Sequence, residues 1–397
     1  MAQTPDEKIS AAGFPVYLRS FSAIDSYLGT GGGDAVYSSC TIDLAGLAKL
    51  FEGLRYPGTA LADAAVDCMD DEGNREISNR KTWYFHCEET GAFSSRGATY
   101  EFLEFYRNCK TRRFYDTNGI YPRLRFLRDG EGFGDPECGK KSPLQWLAET
   151  EKYDDPLAAL CELAVLLAKY FPDTPGKDLN IIAAEFRRPY LAPQAELQRL
   201  LLSGLLGAEN PACGFELLKK CGFITACWPE LAVLDDVDHS KEFHPEGNVW
   251  KHTMEALRYR KTRNFDLRLS LGLLLHDSGK ALSKSSGSHR FDQHAELGER
   301  QTRRFLERLG FETALVSDVC FLVRNHMLPA ALPRLPLIRT GDIMESRLFP
   351  LLLELYRCDE SSSFKGLDNF YHSSAAYQAY LKYRRNPYRS AKTKIRK

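Results

Sequence analysis

The chain lacks a net charge, a long apolar run and a tandem repeat, and each absence excludes a class of protein. Its 397 residues include 53 basic and 53 acidic side chains, so no overall field attracts nucleic acid. The longest apolar runs, LAVLL and LSLGLLL, are far too short to span a bilayer. We therefore expect no membrane partner, and any affinity for RNA or nucleotides must come from local patches.

The 11 cysteines include no C-x-x-C pair. An odd number with this spacing argues against a disulfide framework and against a zinc site built on thiolates. The first residues, MAQTPDEKIS, lack the apolar core of a secretory signal. Together these features predict a cytoplasmic protein with free thiols. The oligomeric state cannot be inferred from the sequence.

The pattern of apolar and polar residues along the chain changes near residue 140. Before it, FPVYL, AAVDCM and TWYFHCEE alternate in polarity and are rich in β-branched and aromatic residues, which predicts strands of a small mixed α/β unit. TGGGDA predicts a flexible turn. After it, DDPLAALCELAVLLAKYF has Pro156 at a helix start and a period of 3.6 residues. The later segments have the same helical period, which predicts that the rest of the chain is all-helical.

The last 18 residues, YLKYRRNPYRSAKTKIRK, are dense in lysine and arginine and contain no acidic residue. A solvated, frayed tail is the favoured interpretation. The alternative is a contact with the phosphate backbone of single-stranded nucleic acid, because basic side chains interspersed with tyrosine suit such a ligand.

Six imidazole and carboxylate side chains form the most informative pattern: His252, His276, Asp277, His294, His326 and Asp359. His276 and Asp277 directly follow the apolar run LSLGLLL, which predicts a buried helix that ends with Gly279 as its C-cap. A charged pair at that point is costly unless a metal or a partner compensates it. A lone histidine on an apolar helix is more often a core residue, but the setting of this pair favours a metal site.

Three further segments give the chain a family resemblance. LLKKCGFITACWPEL, EFHPEGNVWKHTMEAL and LLLHDSGK resemble the bacterial tRNA nucleotidyltransferase and poly(A) polymerase family, most specifically between residues 193 and 330. ETEKYDDPLAALCELAVLL is similar to the neck helix of that family, and FPVYLRSFSAIDSYLG to its opening strand and Gly-Gly turn. The resemblance implies an α+β chain with a nucleotidyltransferase-like head (1–135), an all-α neck (136–235), an all-α HD domain (236–370) and a basic tail (371–397).

The head departs from the family pattern at three places. Where the family has Gly-Gly-x-Val-Arg-Asp, this chain reads RSFSAID from Arg19 to Asp25, with Phe21 where backbone amides approach phosphates. In DAVYSSCTID, at most Asp34 can supply the family's Asp-x-Asp strand, which binds two Mg²⁺ ions. The arginines of the neck helix are replaced around Ala159 and Glu162. We therefore expect an inactive polymerase site.

Carboxylates near this region do not change that expectation. Asp67, Asp70, Asp71 and Glu72 are better explained as an acidic surface loop than as a rebuilt metal site. Outside the six-residue pattern, His239 and His289 are interpreted as loop residues and His244 as an outer or structural one. Trp228 and Trp250 are interpreted as core residues rather than base-stacking platforms.

The HD half retains every residue that the resemblance requires. It implies that His252, His276, Asp277 and Asp359 bind one divalent ion (Mg²⁺, Mn²⁺, Ni²⁺ or Fe²⁺), and that His294 and His326 hold a second ion or contact phosphate. Asp277 bridges the ions or orients the water, and His294 or His326 protonates the leaving oxygen. Lys280 either reaches a phosphate oxygen or is only a solvated cation at a helix end.

The sequence therefore predicts a metal-dependent HD phosphohydrolase with an inactive polymerase head. Its substrate would be a phosphomonoester or phosphodiester on a nucleotide or an RNA end, such as tRNA, with no further cofactor. Two alternatives remain open: an active tRNA CCA-adding nucleotidyltransferase or poly(A) polymerase, and a non-catalytic RNA-binding protein.

Overall fold

The computed structural model describes residues 3–29, 35–57, 62–69, 80–87, 105–116, 156–171, 174, 176–186, 192–208, 210–237, 247–260, 265–284, 293–363 and 366–385. The chain divides into two compact units. The first comprises Met1–Ala208 and Cys213–Phe223, and the second comprises Glu209–Ala212 and Ile224–Lys397. The first unit contains the sheet and several helices, whereas the second unit is helical.

A six-stranded mixed sheet forms the N-terminal part of the first unit. Its strands are β1 (Val16–Arg19), β2 (Ala35–Cys40), β3 (Ala64–Met69), β4 (Arg80–Cys87), β5 (Phe105–Asn108) and β6 (Phe114–Asp116), in the order β3-β4-β2-β1-β5-β6. β2 pairs with β4 in parallel, whereas the other four pairings are antiparallel. The predicted mixed α/β head is confirmed, because the alternating segments do form strands.

Apolar residues at alternating positions along the strands give the sheet one apolar face. Val16, Val66 and Phe85 lie on that face and pack with Leu47 and Phe51. Three helices accompany the sheet: α1 (Pro5–Ala11), α2 (Ser20–Leu28) and α3 (Leu44–Leu50). α1 begins with a capping box between Thr4 and Glu7, and the Asp43 side chain accepts a hydrogen bond from the backbone of α3.

After the sheet, the described residues of the first unit continue as helices from Pro156. These helices are α4 (Pro156–Tyr170), α5 (Gly176–Phe186), α6 (Ala195–Leu206) and α7 (Ala212–Lys220), and α8 (Phe223–Cys227) follows at the division between the units. α4 is apolar on every side and is buried from Leu160 to Ala168. It contacts α2 through Asp25, whose carboxylate lies 2.9 Å from Lys169 Nζ and accepts a hydrogen bond from Tyr170.

The second unit is helical throughout its described residues. Its main helices are α9 (Pro229–Ala232), α10 (Val249–Arg258), α11 (Leu267–Leu275), α12 (Gly279–Lys284), α13 (His294–Arg308), α14 (Thr313–Asn325), α15 (Leu328–Ala331), α16 (Leu337–Met344), α17 (Phe349–Ser361) and α18 (Asp368–Arg385). Asn248 and Asp266 cap α10 and α11 through their side chains. None of the helices in the described part of the chain is long and apolar enough to cross a membrane.

Two predicted boundaries differ from the divisions that the structure shows. The units separate between Phe223 and Ile224 rather than at residues 235 and 236. The reason is that Arg308 of α13 donates hydrogen bonds to Cys227 and Glu230, which ties α8 and α9 to the second unit. The domain end predicted at residue 370 falls inside α18, whose Ser373, Tyr377 and Tyr380 are buried.

Three local predictions are also settled by the structure. The frayed-tail interpretation is wrong for residues 380–385, which continue α18, while residues 386–397 lie outside the described part of the chain. Asp67 is not in a loop but in β3, where it accepts hydrogen bonds from Arg55 and Thr82. Asp70, Asp71, Glu72 and the TGGGD turn lie outside the described residues. Ten cysteines are described, and all ten are free thiols, as predicted.

Gly279 has a different role from the predicted C-cap. α11 ends at Leu275, a turn follows, and Gly279 begins α12. A Cβ atom on Gly279 would lie 1.9 Å from the carbonyl oxygen of His294 and 2.5 Å from the backbone nitrogen of Gly298. Glycine is therefore required because two backbones approach each other closely, and not because a helix ends there.

Replacement of Gly279 by alanine should destabilise the second unit, because the backbones of α12 and α13 would have to separate. We expect a loss of about 1–3 kcal/mol or more in the free energy of unfolding, measured by chemical denaturation. Gly341→Ala is the matched control, since it lies within α16 and its Cβ would meet nothing within 4 Å. That change should stabilise by up to ~1 kcal/mol. Equal effects of the two substitutions would contradict the close-approach explanation.

Candidate metal centre

Six predicted side chains are brought together in the second unit by four helices and one turn. His252 lies on α10, and His276 and Asp277 occupy the turn between α11 and α12. His294 begins α13, His326 follows the end of α14, and Asp359 lies on α17. Since these segments are far apart in sequence, only the packing of the helices creates the cluster.

The first group of ligand atoms comprises the Nε2 atoms of His252 and His276 and one oxygen each of Asp277 and Asp359. The two Nε2 atoms are 3.3 Å apart. Asp359 Oδ1 lies 3.0 Å from His252 Nε2 and 3.8 Å from His276 Nε2. Asp277 Oδ2 lies 3.8 Å and 3.3 Å from the same two nitrogens. These separations are those of atoms that share one cation.

The second group lies on the other side of the same aspartate. Asp277 Oδ1 is 3.8 Å from His294 Nε2 and 3.8 Å from His326 Nε2. The two nitrogens are 3.1 Å apart. Asp277 therefore directs one carboxylate oxygen to each group, which is the arrangement of a bridging ligand between two cation positions.

Outer hydrogen bonds determine which ring nitrogen of three histidines faces the cluster. Nδ1 of His276 lies 2.8 Å from the carbonyl oxygen of Leu273, and Nδ1 of His326 lies 2.7 Å from that of Val323. A carbonyl can only accept, so both Nδ1 atoms carry the proton and both Nε2 atoms present a lone pair. These imidazoles are thus prepared as metal ligands.

Ser362 performs the same role for His252. Its hydroxyl donates to the carbonyl oxygen of Asp359 at 2.6 Å and lies 3.1 Å from Nδ1 of His252. Because the serine proton is used in the first contact, the hydroxyl oxygen accepts the Nδ1 proton of His252. The sequence prediction does not include Ser362. The feature that could have identified it is its position one helical turn after Asp359 on the same helix.

The electrostatics keep the ligands in their metal-binding protonation states. Burial alone would raise the pKa of Asp277, but the Lys280 ammonium and the neighbouring imidazoles hold it well below its usual range. At Asp359, burial also acts to raise the pKa, but the neighbouring imidazoles of His252 and His276 outweigh it, and the pKa is lowered. Burial, together with His276, lowers the pKa of His326 to about 4, so its imidazole is neutral at pH 7.

Lys280 lies directly beside the bridging carboxylate. Its Nζ is 2.6 Å from Asp277 Oδ2. This ion pair disagrees with a solvated helix-end cation, and the other interpretation, contact with a phosphate oxygen, stays a prediction. The side chain of Asp359 is 22% exposed whereas that of Asp277 is 3% exposed, so the cluster opens to solvent at Asp359.

The donor set fits divalent metal ions. The lone pairs of His252 and His276 face the carboxylate oxygens of Asp277 and Asp359, and few hydrogen-bond donors lie among these acceptors. Acceptors placed so close together repel one another, so the arrangement is stable only around a cation. Mixed imidazole and carboxylate ligands suit Mn²⁺, Fe²⁺ and Ni²⁺, and Mg²⁺ through the carboxylates. Two histidine–aspartate triads, one around each oxygen of Asp277, could each hold an ion.

The remaining predicted residues lie in the core or outside the described part of the chain. Trp228 and Trp250 are buried, which confirms that they are core residues. His239, His244 and His289 lie outside the described residues. In the head, Phe21 and Glu162 are buried, whereas Asp34 and the Ala159 side chain are not described. β2 itself, AVYSSC, contains no carboxylate.

Ser362→Ala should weaken metal binding, because His252 loses the acceptor that fixes its ring. We expect an affinity for Mn²⁺ or Ni²⁺ lower by about 10- to 100-fold, measured by isothermal titration calorimetry. Ser361→Ala is the matched control, since the Ser361 hydroxyl donates to the Arg357 carbonyl and to no ligand. If both variants bind the metal with wild-type affinity, Ser362 does not orient His252.

Comparison with known proteins agrees with this geometry. The family model of the HD domain matches residues 248–349. That match contains the four histidines and Asp277, whereas Asp359 lies beyond its end. Only the position of Asp359 on α17, beside His252 and His276, places it with the other five.

The curated relatives are multifunctional CCA proteins. The protein of Acinetobacter baumannii is 29% identical over 184 residues, which are 44% of this chain and 43% of that protein. The protein of Halorhodospira halophila is 33% identical over 137 residues, or 34% and 32% of the two chains. The matches thus span less than half the length of these relatives.

Among solved structures, a CCA-adding enzyme in complex with ATP matches 96% of this chain and 81% of its own, with 10% identity and a TM-score of 0.39. A CCA-adding enzyme in complex with CTP gives 11% identity and a TM-score of 0.37. Similarity at this level carries no argument about the site. The comparisons therefore show that the chain carries an HD domain in its C-terminal half and is similar, over less than half of its length, to multifunctional CCA proteins.

Proposed function

We propose that the second unit is a metal-dependent phosphohydrolase that acts on a phosphomonoester or phosphodiester of a nucleotide or an RNA end. One observation carries the proposal, namely the position of Asp277 between two groups of imidazole nitrogens. A carboxylate shared in this way suits two ions close together, and such ions activate water and neutralise phosphate charge. Metal ions bound here would supply a hydroxide near neutral pH.

The chain's own residues complete this chemistry. Lys280 supplies a fixed positive charge beside the bridging carboxylate, where a phosphate oxygen of the substrate would lie. His294 begins α13 with a side chain that is 10% exposed, more than those of His252 and His276. When only the first group holds an ion, His294 is therefore the better placed of the two predicted proton donors, because the neutral His326 is buried and has a lowered pKa.

We also propose that the head no longer transfers nucleotides. Ser20 and Phe21 replace the two glycines that the resemblance requires, and Phe21 is 5% exposed. β2 lacks the carboxylates that bind Mg²⁺ in such enzymes. Asp25, at the end of the same motif, is engaged by Lys169 and Tyr170. These features support a structural rather than catalytic head.

The hydrolase proposal is tested by Asp277→Ala. The purified wild-type protein should contain bound divalent metal by mass spectrometry and should hydrolyse bis(p-nitrophenyl) phosphate or 2′,3′-cyclic AMP. The variant should lose metal, and its kcat/KM should fall by at least about 100-fold, since the ions supply several kcal/mol of transition-state stabilisation. Asp342→Ala, an exposed aspartate on α16, is the control and should retain both properties. Activity that persists in Asp277→Ala would refute the proposal.

The proposal of an inactive head makes a separate prediction. Incubation of the protein with labelled ATP or CTP, Mg²⁺ and a tRNA that lacks its 3′ end should give no incorporation above background, because no carboxylate pair is available on β2. Incorporation that depends on protein concentration would show that the head is an active nucleotidyltransferase. That result would leave the assignment of the metal centre in the second unit intact.

A further inference from the structure

Two neighbouring strands of the sheet end with cysteines that lie side by side. β2 pairs with β4 in parallel, and the last residues of the two strands, Cys40 and Cys87, are register partners. Both side chains pack into the same apolar cluster, so they lie on the same face of the sheet. The fold thus brings together two thiols that are far apart in sequence.

The geometry of this pair suits a covalent bond between the two sulfur atoms. The Cys40 thiol lies within hydrogen-bonding reach of the Cys87 thiol, and its Sγ is 3.6 Å from the carbonyl oxygen of His86. A disulfide requires Cα atoms about 4.4–6.8 Å apart and side chains that point towards each other. Adjacent strands are separated by about 4.8 Å, which falls within that range. A bond between Cys40 and Cys87 therefore needs little movement of the backbone.

The two thiols differ in their access to solvent. Cys40 is 1% exposed, whereas Cys87 is half-buried. The hydrogen bond with Cys87, together with burial, raises the pKa of the Cys40 thiol, which keeps that thiol protonated. Because the thiolate is the reactive form of cysteine, a small oxidant from solvent meets Cys87 first. Cys40 is then the neighbouring thiol that can react with the oxidised sulfur.

The other cysteines on this face of the sheet are not paired in this way. The backbone of Cys109 donates a hydrogen bond to Val16, which is itself the register partner of Cys40. A whole strand therefore separates Cys109 from Cys40, and two strand spacings, about 9.5 Å, exceed the reach of a disulfide. Cys68 on β3 has a lysine as its register partner. Within the described sheet, only one pair of cysteines is thus in position to be joined.

We propose that Cys40 and Cys87 form a site of reversible oxidation, where hydrogen peroxide converts the two thiols into a disulfide that joins β2 to β4. The Cys87 thiolate attacks one peroxide oxygen, the O–O bond breaks, and Cys87 becomes a sulfenic acid while hydroxide leaves and takes up the thiol proton as water. The Cys40 sulfur then attacks the Cys87 sulfur, the S–O bond breaks, and the hydroxyl leaves with the Cys40 proton as a second water. Two thiols are oxidised and one peroxide is reduced to two waters, and a small dithiol reverses the change.

The proposal is tested by exposing the full-length protein to hydrogen peroxide, blocking the remaining thiols with N-ethylmaleimide and digesting the chain with trypsin. Lysine and arginine residues lie between the two cysteines, so the disulfide appears in mass spectrometry as two joined peptides. We expect a link between Cys40 and Cys87 as the main product, and dithiothreitol should remove it. In concentrated urea the share of this link among all links should fall by at least about tenfold, because the fold no longer places the two thiols together.

Substitutions separate the roles of the two thiols. In Cys40→Ala, Cys87 should accumulate as sulfenic and then sulfinic acid, which dimedone labelling and mass spectrometry detect, because the second thiol is missing. Cys87→Ala changes a half-buried residue and is expected to fold, and Cys40 should stay unmodified in it. Cys68→Ala, at a half-buried cysteine of the same face, is the matched control and should form the link with wild-type yield. Asp277→Ala should form it equally, which separates this site from the proposed hydrolase and from oxidation by its metal.

Three results would overturn the inference. The first is a main link that joins Cys87 to a different cysteine or to a second copy of the chain. The second is an equal share of the Cys40–Cys87 link in buffer and in concentrated urea, since the link would then owe nothing to the fold. The third is oxidation of Cys40 in Cys87→Ala at the wild-type rate, which would show that Cys87 is not the thiol that peroxide attacks first.

Discussion

The second unit depends on a single shared carboxylate. Asp277 is nearly inaccessible to solvent, yet its two oxygens face two groups of imidazoles and its charge is retained. An ionised group in such a place is tolerated only if positive charge surrounds it. Lys280 provides part of that charge, and divalent ions would provide the rest. The close contact of α12 with α13 at Gly279 is the constraint that holds this turn in position.

The sequence predicts the six candidate ligands of this cluster, which the structure brings together, but not the residues that support them. His276 and Asp277 were recognised from an apolar run that ends in a charged pair, and the other four from the family resemblance. Ser362 was not recognised, because the partner of a ring nitrogen depends on side-chain orientations that spacing does not specify. Gly279 was assigned to a helix end for a similar reason. A glycine needed for helix contact and a glycine needed for a cap look alike in sequence.

In the first unit, local pattern predicted local structure well. Alternating polarity identified strands β1, β3 and most of β4, and Pro156 identified the start of α4. The division between the units was not predictable in this way, because it follows from long-range contacts such as those of Arg308 with Cys227 and Glu230. The same limit applies to Arg19, whose burial is a property of the folded sheet. A buried arginine and an exposed one are indistinguishable in the sequence.

The β1–α2 junction has a backbone conformation that is unusual for residues other than glycine. Ser20 has a φ of +52° and stands where the family resemblance leads us to expect a glycine. Phe21 stands at the second such position and is buried, so its side chain covers the backbone there. A strained backbone persists only where surrounding contacts enforce it, here the packing of α2 against the sheet and the ion pair of Asp25 with Lys169. The junction therefore follows a path that favours glycine although neither residue is one.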